Sequence, residues 1–145
     1  MSFTPKTPYL TTDGIVEIYL DEKFQGIVLI ERKNPPLGLA LPGGFVDVGE
    51  SVEDALIREM KEEISLDVEI KYLLGIYSDP SRDPRFHTAS AVYVCKAYAM
   101  PIADDDAKEA MVVKLEDIQT NKLVFDHGKI LIDYANSKIK CNFLK

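Results

Sequence analysis

The 145-residue chain has only two cysteines, Cys95 and Cys141, and neither belongs to a C-x-x-C pair or a Cys/His ligand spacing. That excludes a disulfide framework and a structural zinc site, and predicts two ordinary thiols in a reducing compartment. No apolar run approaches the roughly 20 residues needed to span a bilayer, so no membrane segment is expected. The opening MSFTPKTPYL lacks the basic start and apolar core of a signal peptide, which makes a cytoplasmic location the expectation. Cations are in deficit, with 17 Lys and Arg against 24 Asp and Glu and a net charge of −7. This argues against a nucleic-acid polymer as partner, because phosphate-backbone binding is driven largely by Lys and Arg. A small anionic substrate is compatible with it, given a metal ion or a local group of arginines to offset the acidic background. Internal repeats, low-complexity tracts and linkers are also missing, so residues 1–145 are expected to form one domain.

What is there reads as strands interleaved with two main helices. TTDGIVEIYL (11–20) and FQGIVLIER (24–32) predict a hairpin around Asp21-Glu22-Lys23, and the prolines and glycines of KNPPLGLALPGG (33–44) predict irregular backbone through most of that segment. Ser51 is placed to cap a helix running to about Ile64, with Asp54 as a shorter capping-box acid. DVEIKYLLGIYS (67–78) and TASAVYVCKAYA (88–99) have the β-branched and aromatic content of strands, separated by the polar loop DPSRDPRFH (79–87). IADDDAKEA (102–110) reads as an acidic loop, MVVKL (111–115) as a short strand, Leu115 to Gln119 as a short helix. FDHGKILIDYANSKI (125–139) reads as an amphipathic helix with Asp126 at its N-cap. This order predicts an α/β fold, a mixed sheet covered on both faces.

The stretch REMKEEISL (58–66) places three glutamates at the end of the first helix, where mutual repulsion and the macrodipole both oppose them. At 100° per residue, with Glu59 at zero, Val52, Ala55 and Leu56 fall at about +20°, −40° and +60°, and Glu62 and Glu63 at about −60° and +40°. The apolar stripe of the first half therefore becomes a carboxylate cluster in the second. Two readings compete: a solvated acidic helix end compensated by Arg58 and Lys61, or a Mg²⁺ or Mn²⁺ site, since hard cations take oxygen ligands.

The upstream context favours the second. GGFVDVGESVEDALIREMKEEISL resembles the Nudix box, G-x5-E-x7-R-E-U-x-E-E-x-G-U with U a bulky aliphatic, at every defined position except Ser65, which stands where the family has glycine. That glycine ends the helix in the left-handed conformation, so serine should cost roughly 1 kcal/mol of stability and no ligand. The resemblance implies an α/β/α sandwich and metal-dependent hydrolysis of a nucleoside diphosphate derivative. It implies that Glu59, Glu62 and Glu63 hold Mg²⁺ or Mn²⁺, that the carbonyl of Gly43 or Gly44 completes the shell, and that Glu50 and Arg58 support the catalytic acids.

LALPGGFVDVGES, YSDPSRDPRFHTAS, DDDAKEA and LVFDHGKIL further resemble ADP-ribose pyrophosphatases, which implies conversion of ADP-ribose and water to AMP and ribose 5-phosphate. Arg82 and Arg85 are candidate phosphate or ribose ligands, or solvated turn residues, and Phe86 replaces a frequent glycine there. Glu109 is the candidate general base, with Asp104, Asp105 and Asp106 as alternatives and a solvated acidic loop as the plain reading. His87 and His127 are weighed as ribose contacts or structural caps, Phe125 and Tyr9 as adenine-stacking or core rings, and Arg32 and Lys33 as phosphate contacts. Relatives in this branch imply a homodimer. Two alternatives stay open: a nucleoside-triphosphate pyrophosphohydrolase, and a non-catalytic ADP-ribose-binding sensor. Intact Glu59, Glu62 and Glu63 and the lack of room for a helix-turn-helix after residue 139 count against the sensor.

Overall fold

A computed structural model describes the backbone of residues 2–104 and 107–143, with side chains through residue 137; Asp105, Asp106 and the Cys141 thiol lie outside the described residues. The elements are β1 (Tyr9–Leu20), β2 (Lys23–Arg32), β3 (Leu39–Ala40), β4 (Gly43–Phe45), α1 (Val52–Ile64), β5 (Glu69–Tyr77), β6 (Thr88–Ala97), β7 (Ala107–Val113) and α2 (His127–Phe143), with single 3₁₀ turns at Leu115–Asp117 and Thr120–Lys122. One mixed sheet runs β3-β2-β1-β6-β5, with β4 added to β1 and β7 to β2; β1 and β6 are parallel, and every other pair is antiparallel.

Period-two alternation sends neighbouring residues of the central strands to opposite faces. Val16, Ile18, Val28 and Ile30 pack with Leu56, Met60 and Ile64 of α1. Ile15, Ile27, Leu29, Val92 and Val94 pack with Ile130, Leu131 and Tyr134 of α2. The two helices therefore cover opposite faces, the expected α/β/α sandwich. Asp21 and Glu22, at φ 50° and 63°, form the two-residue turn whose twist suits a hairpin, so Lys23 belongs to β2.

The segment 33–44 is irregular through most of its length, as expected, and holds only β3 and the start of β4. Gly43 lies against β1 so closely that a Cβ there would sit 2.2 Å from the Thr12 carbonyl oxygen, so glycine permits the β4 contact. One expectation is corrected. The supposed acidic loop 102–110 becomes strand from Ala107 onward, paired to β2 from Ile27↔Val113 to Arg32↔Ala107. Its polar Lys108 and Glu109 are exposed, and burial of Ala107 rather than a hydrophobic run anchors that end.

Candidate functional site

β1 pairs β2 only from Glu17 to Leu20; nearer its start it pairs β4 instead, from Thr11↔Phe45 to Asp13↔Gly43. A cavity of about 360 Å³ sits at that divergence. α1 contributes Glu59 and Glu63, β4 contributes Gly43, Gly44 and Phe45, and β2 contributes Ile30 and Arg32. The 79–87 loop brings Arg82, Asp83 and Arg85, and Phe125 and His127 enter from the start of α2.

Ser51 caps α1 by accepting from the Asp54 N–H at 3.1 Å, which fixes the helix start and hence its register. Leu56, Met60 and Ile64 are buried, and Glu63 in the same stripe is only 4% exposed. Glu59 touches the β4 glycine: a Cβ on Gly44 would lie 2.4 Å from its carboxyl carbon. Arg58 fastens this end. Its Nε and Nη2 donate to the two Glu50 carboxylate oxygens at 3.1 and 2.6 Å, Nη2 also to the Phe45 carbonyl at 3.1 Å, and Nη1 to Glu59 at 2.9 Å and Glu62 at 3.3 Å. These bonds raise the Arg58 pKa, led by the one to Glu50, and the Arg58 hydrogen bond holds the Glu50 carboxyl below its ordinary range. Glu50 also accepts from the Asp47 N–H at 2.8 Å, so the loop before α1 and the acids at its end form one charge-linked unit.

On the arginine side, Arg82 is buried, with Nε and Nη2 on the Asp126 carboxylate at 3.0 and 2.7 Å and Nη1 on the Thr88 hydroxyl at 2.7 Å. The Asp126 carboxylate thus receives Arg82 and ties the 79–87 loop to α2. Arg85 donates through its backbone N–H, Nε and Nη2 to Asp83 at 2.9, 3.1 and 2.9 Å. Burial pushes the Asp83 carboxyl up, but the Arg85 hydrogen bonds outweigh it and the net shift is downward. His127, fully buried, accepts from the Leu41 N–H at its Nδ1, 2.9 Å away. Burial lowers its pKa; because Nδ1 accepts, the neutral ring carries its proton on Nε2, which lies 3.8 Å from Asp13, and the Asp13 carboxylate accepts from the Ser90 hydroxyl at 2.5 Å.

Of the residues singled out in the sequence, Gly43, Gly44, Glu59, Glu63, Arg32, Arg82, Arg85, Phe125 and His127 meet in this cavity. Glu62 and Arg58 stand just behind it, joined to Glu59 through the Arg58 guanidinium. His87 is not brought in: it contacts the Ser78 carbonyl at 2.9 Å and lines a separate shallow recess with Tyr9. Glu109 is exposed on β7, opposite Glu31, and does not line the cavity. Lys33 is likewise exposed and outside it. Sequence reasoning missed Asp13, Asp83 and Thr88, buried polar residues that converge only when β1, β6 and the 79–87 loop are assembled. Asp83 and Thr88 lie within the YSDPSRDPRFHTAS stretch, while no local signal marks Asp13.

Among the described residues no three carboxylate, imidazole or thiol side chains already surround one point. The donors nonetheless fit a hard divalent cation: Glu59 and Glu63 are one helical turn apart in one cavity, and the gap a Cβ would fill at Gly44 brings backbone to within contact of the Glu59 carboxylate.

Comparison with known proteins gives a match to the NUDIX domain model over residues 9–134. The chain is 47% identical over 134 residues to an ADP-ribose pyrophosphatase of Methanocaldococcus jannaschii, covering 90% of this chain and 75% of that protein. Among solved structures, a MutT/nudix family protein from Enterococcus faecalis superposes with a TM-score of 0.81 at 29% identity, covering 97% of this chain and 65% of that one. A bifunctional NMN adenylyltransferase/ADP ribose pyrophosphatase from Francisella tularensis, complexed with AMP and a Mn ion, superposes with a TM-score of 0.77 at 26% identity, over 91% of this chain and 42% of that one.

Proposed function

The chain belongs to the NUDIX domain family, and we propose that it hydrolyses the pyrophosphate bond of ADP-ribose, giving AMP and ribose 5-phosphate. The observation that carries this reading is one cavity lined both by Glu59 and Glu63 and by Arg32 and Arg85, within a chain 47% identical to an ADP-ribose pyrophosphatase.

Glu59 and Glu63, with Glu62 beside them and the Gly44 carbonyl, are the groups that would hold Mg²⁺ or Mn²⁺. An ion held there would neutralise pyrophosphate charge and lower the pKa of the attacking water. Arg58 keeps Glu59 and Glu62 at fixed separations and ties them to Glu50. Arg32 and Arg85 orient the phosphates, and Arg82, committed to Asp126 and Thr88, holds the loop that carries Arg85. Water attacks one phosphorus, the bond from that phosphorus to the bridging oxygen breaks, and the oxygen leaves with the other phosphate. Glu109 receives no role, because it lies outside the cavity lining. The reading includes a homodimer in the cytoplasm; exposed Leu73 and Ile76 on the edge strand β5 are consistent with a second copy.

The test compares turnover of ADP-ribose and of a modified dGTP with Mg²⁺ and with Mn²⁺, products identified, for the wild type and Glu63→Gln. ADP-ribose should be the faster substrate, and Glu63→Gln should lose most turnover while melting normally. Faster triphosphate hydrolysis would replace ADP-ribose with a nucleotide-pool role, and unchanged turnover in Glu63→Gln would refute the metal assignment.

A further inference from the structure

Phe125 has a backbone φ of 57°, in the left-handed region that bulky side chains rarely enter. Its neighbours are fastened on both sides. The Val124 N–H donates to the Leu39 carbonyl at 2.9 Å, the Asp126 carboxylate takes the Arg82 fork, and the His127 ring accepts from the Leu41 N–H. Backbone in such regions persists only where its surroundings over-determine it, and it concentrates at functional sites.

What this conformation presents is the ring. The Arg32 guanidinium carbon lies 5.0 Å from its centroid and that of Arg85 lies 5.5 Å away, and all three residues line the cavity. Each arginine also has its own anchors, the Pro36 carbonyl for Arg32 Nε at 2.9 Å, and for Arg85 both Asp83 and the Phe86 ring, whose centroid is 5.0 Å from its guanidinium carbon. The two come from different elements, the end of β2 and the 79–87 loop, and share this ring. Two guanidiniums this close to one centre repel each other, and the negative face of an aromatic ring offsets that repulsion.

We propose that Phe125 is a positioning residue: its ring sets the spacing of Arg32 and Arg85 so that the two guanidiniums act as one receptor for a diphosphate group. A pyrophosphate presents two phosphates, each able to accept from one guanidinium; Arg85, with Nε and Nη2 bonded to Asp83, would donate from its Nη1 end. The inference rests on the reading of the cavity as a pyrophosphate site. It gives Phe125 a role other than stacking on a nucleobase.

The experiment uses the full chain as wild type, Phe125→Leu, Phe125→Met and Phe125→Tyr, each checked by thermal melting. Binding of inorganic pyrophosphate is measured by calorimetry in chelator-containing buffer, so that only side-chain donors contribute. The KM and kcat for ADP-ribose are measured separately with Mg²⁺. Phe125→Leu should weaken pyrophosphate binding about tenfold and raise KM by a similar factor, with kcat changed less than about threefold. Phe125→Tyr should keep both affinities; if Phe125→Leu melts early, Phe125→Met takes its place. Wild-type pyrophosphate affinity in the Leu or Met variant, a Tyr variant as weak as Leu, or no pyrophosphate binding by the wild type would each overturn the proposal. If the wild type does not turn over ADP-ribose but the pyrophosphate pattern holds, the substrate assignment fails and the arginine receptor stands.

Discussion

Replacing Gly44 with alanine should separate folding from activity. A Cβ at that position would lie 2.4 Å from the Glu59 carboxyl carbon and 2.5 and 2.7 Å from its oxygens, with no backbone atom among its nearest neighbours. Ordinary contact begins near 3.4 Å, so the carboxylate must retreat by about 1 Å, which a side chain can do by rotating. The retreat stretches the 2.9 Å bond from Arg58 and moves Glu59 out of the position it shares with Glu63. Stability should fall by only about 1 kcal/mol, while an ångström of misplacement at a reacting centre costs on the order of 10²-fold in rate. Gly43→Ala is the control. Its Cβ would meet the Thr12 carbonyl oxygen at 2.2 Å and the Asp13 Cα at 2.8 Å, backbone atoms that cannot swing away, so about 3 kcal/mol is expected. At about 3 °C per kcal/mol for a chain of this size, melting curves resolve the two. Turnover of ADP-ribose at saturating Mg²⁺ gives the other half of the comparison. A Gly44→Ala protein with activity close to wild type, or one that melts below Gly43→Ala, would refute the reasoning.

Ser65 ends α1 at φ 58°, so Ser65→Gly should raise the melting temperature by about 2–3 °C, reflecting roughly 1 kcal/mol, with activity unchanged. Arg58→Lys keeps the charge but loses the fork that reaches Glu50, Phe45 and Glu59 together, and a loss of about tenfold or more in activity or metal affinity should follow; a Lys variant equal to wild type would show that charge alone suffices. Burial depresses the His127 pKa below its ordinary 6.5, so the neutral ring stabilises the fold fully above pH 6.5, and stability declines as pH falls from there through the lowered folded value. Urea unfolding of wild type and His127→Asn between about pH 7.5 and 5.5 measures this, and equal pH slopes in the two proteins would rule it out.

Much of the site was legible because its chemistry is local. The i, i+3 and i, i+4 spacing of Glu59, Glu62 and Glu63 fixes their neighbourhood on any helix, and the Ser51 cap fixes where that helix starts. The left-handed turn at Ser65 followed from one departure in a pattern. Arg82 and Arg85 were marked by the same dipeptide-rich loop, yet the roles differ: Arg82 is consumed by Asp126 and Thr88, while Arg85 stays at the cavity wall beside Phe125. Sequence spacing could not distinguish them, since Asp126 is 44 residues away.

The sequence by itself determined the mixed α/β order of elements and the helix that gathers Glu59, Glu62 and Glu63, because period, capping and short-range spacing act within a few residues; the reaction class and the sandwich followed from the resemblance of residues 43–66 to the Nudix box. Tertiary structure alone decided which side chains share the cavity. It brought Asp13, Asp83 and Thr88 to the cavity, left Glu109 and His87 outside its lining, and set two arginines against the Phe125 ring. Those outcomes depend on where β1 leaves β2 and on a parallel pairing of β1 with β6 across nearly 80 residues of chain. Non-local pairing carries no local signature, so it enters only when the sheet is assembled.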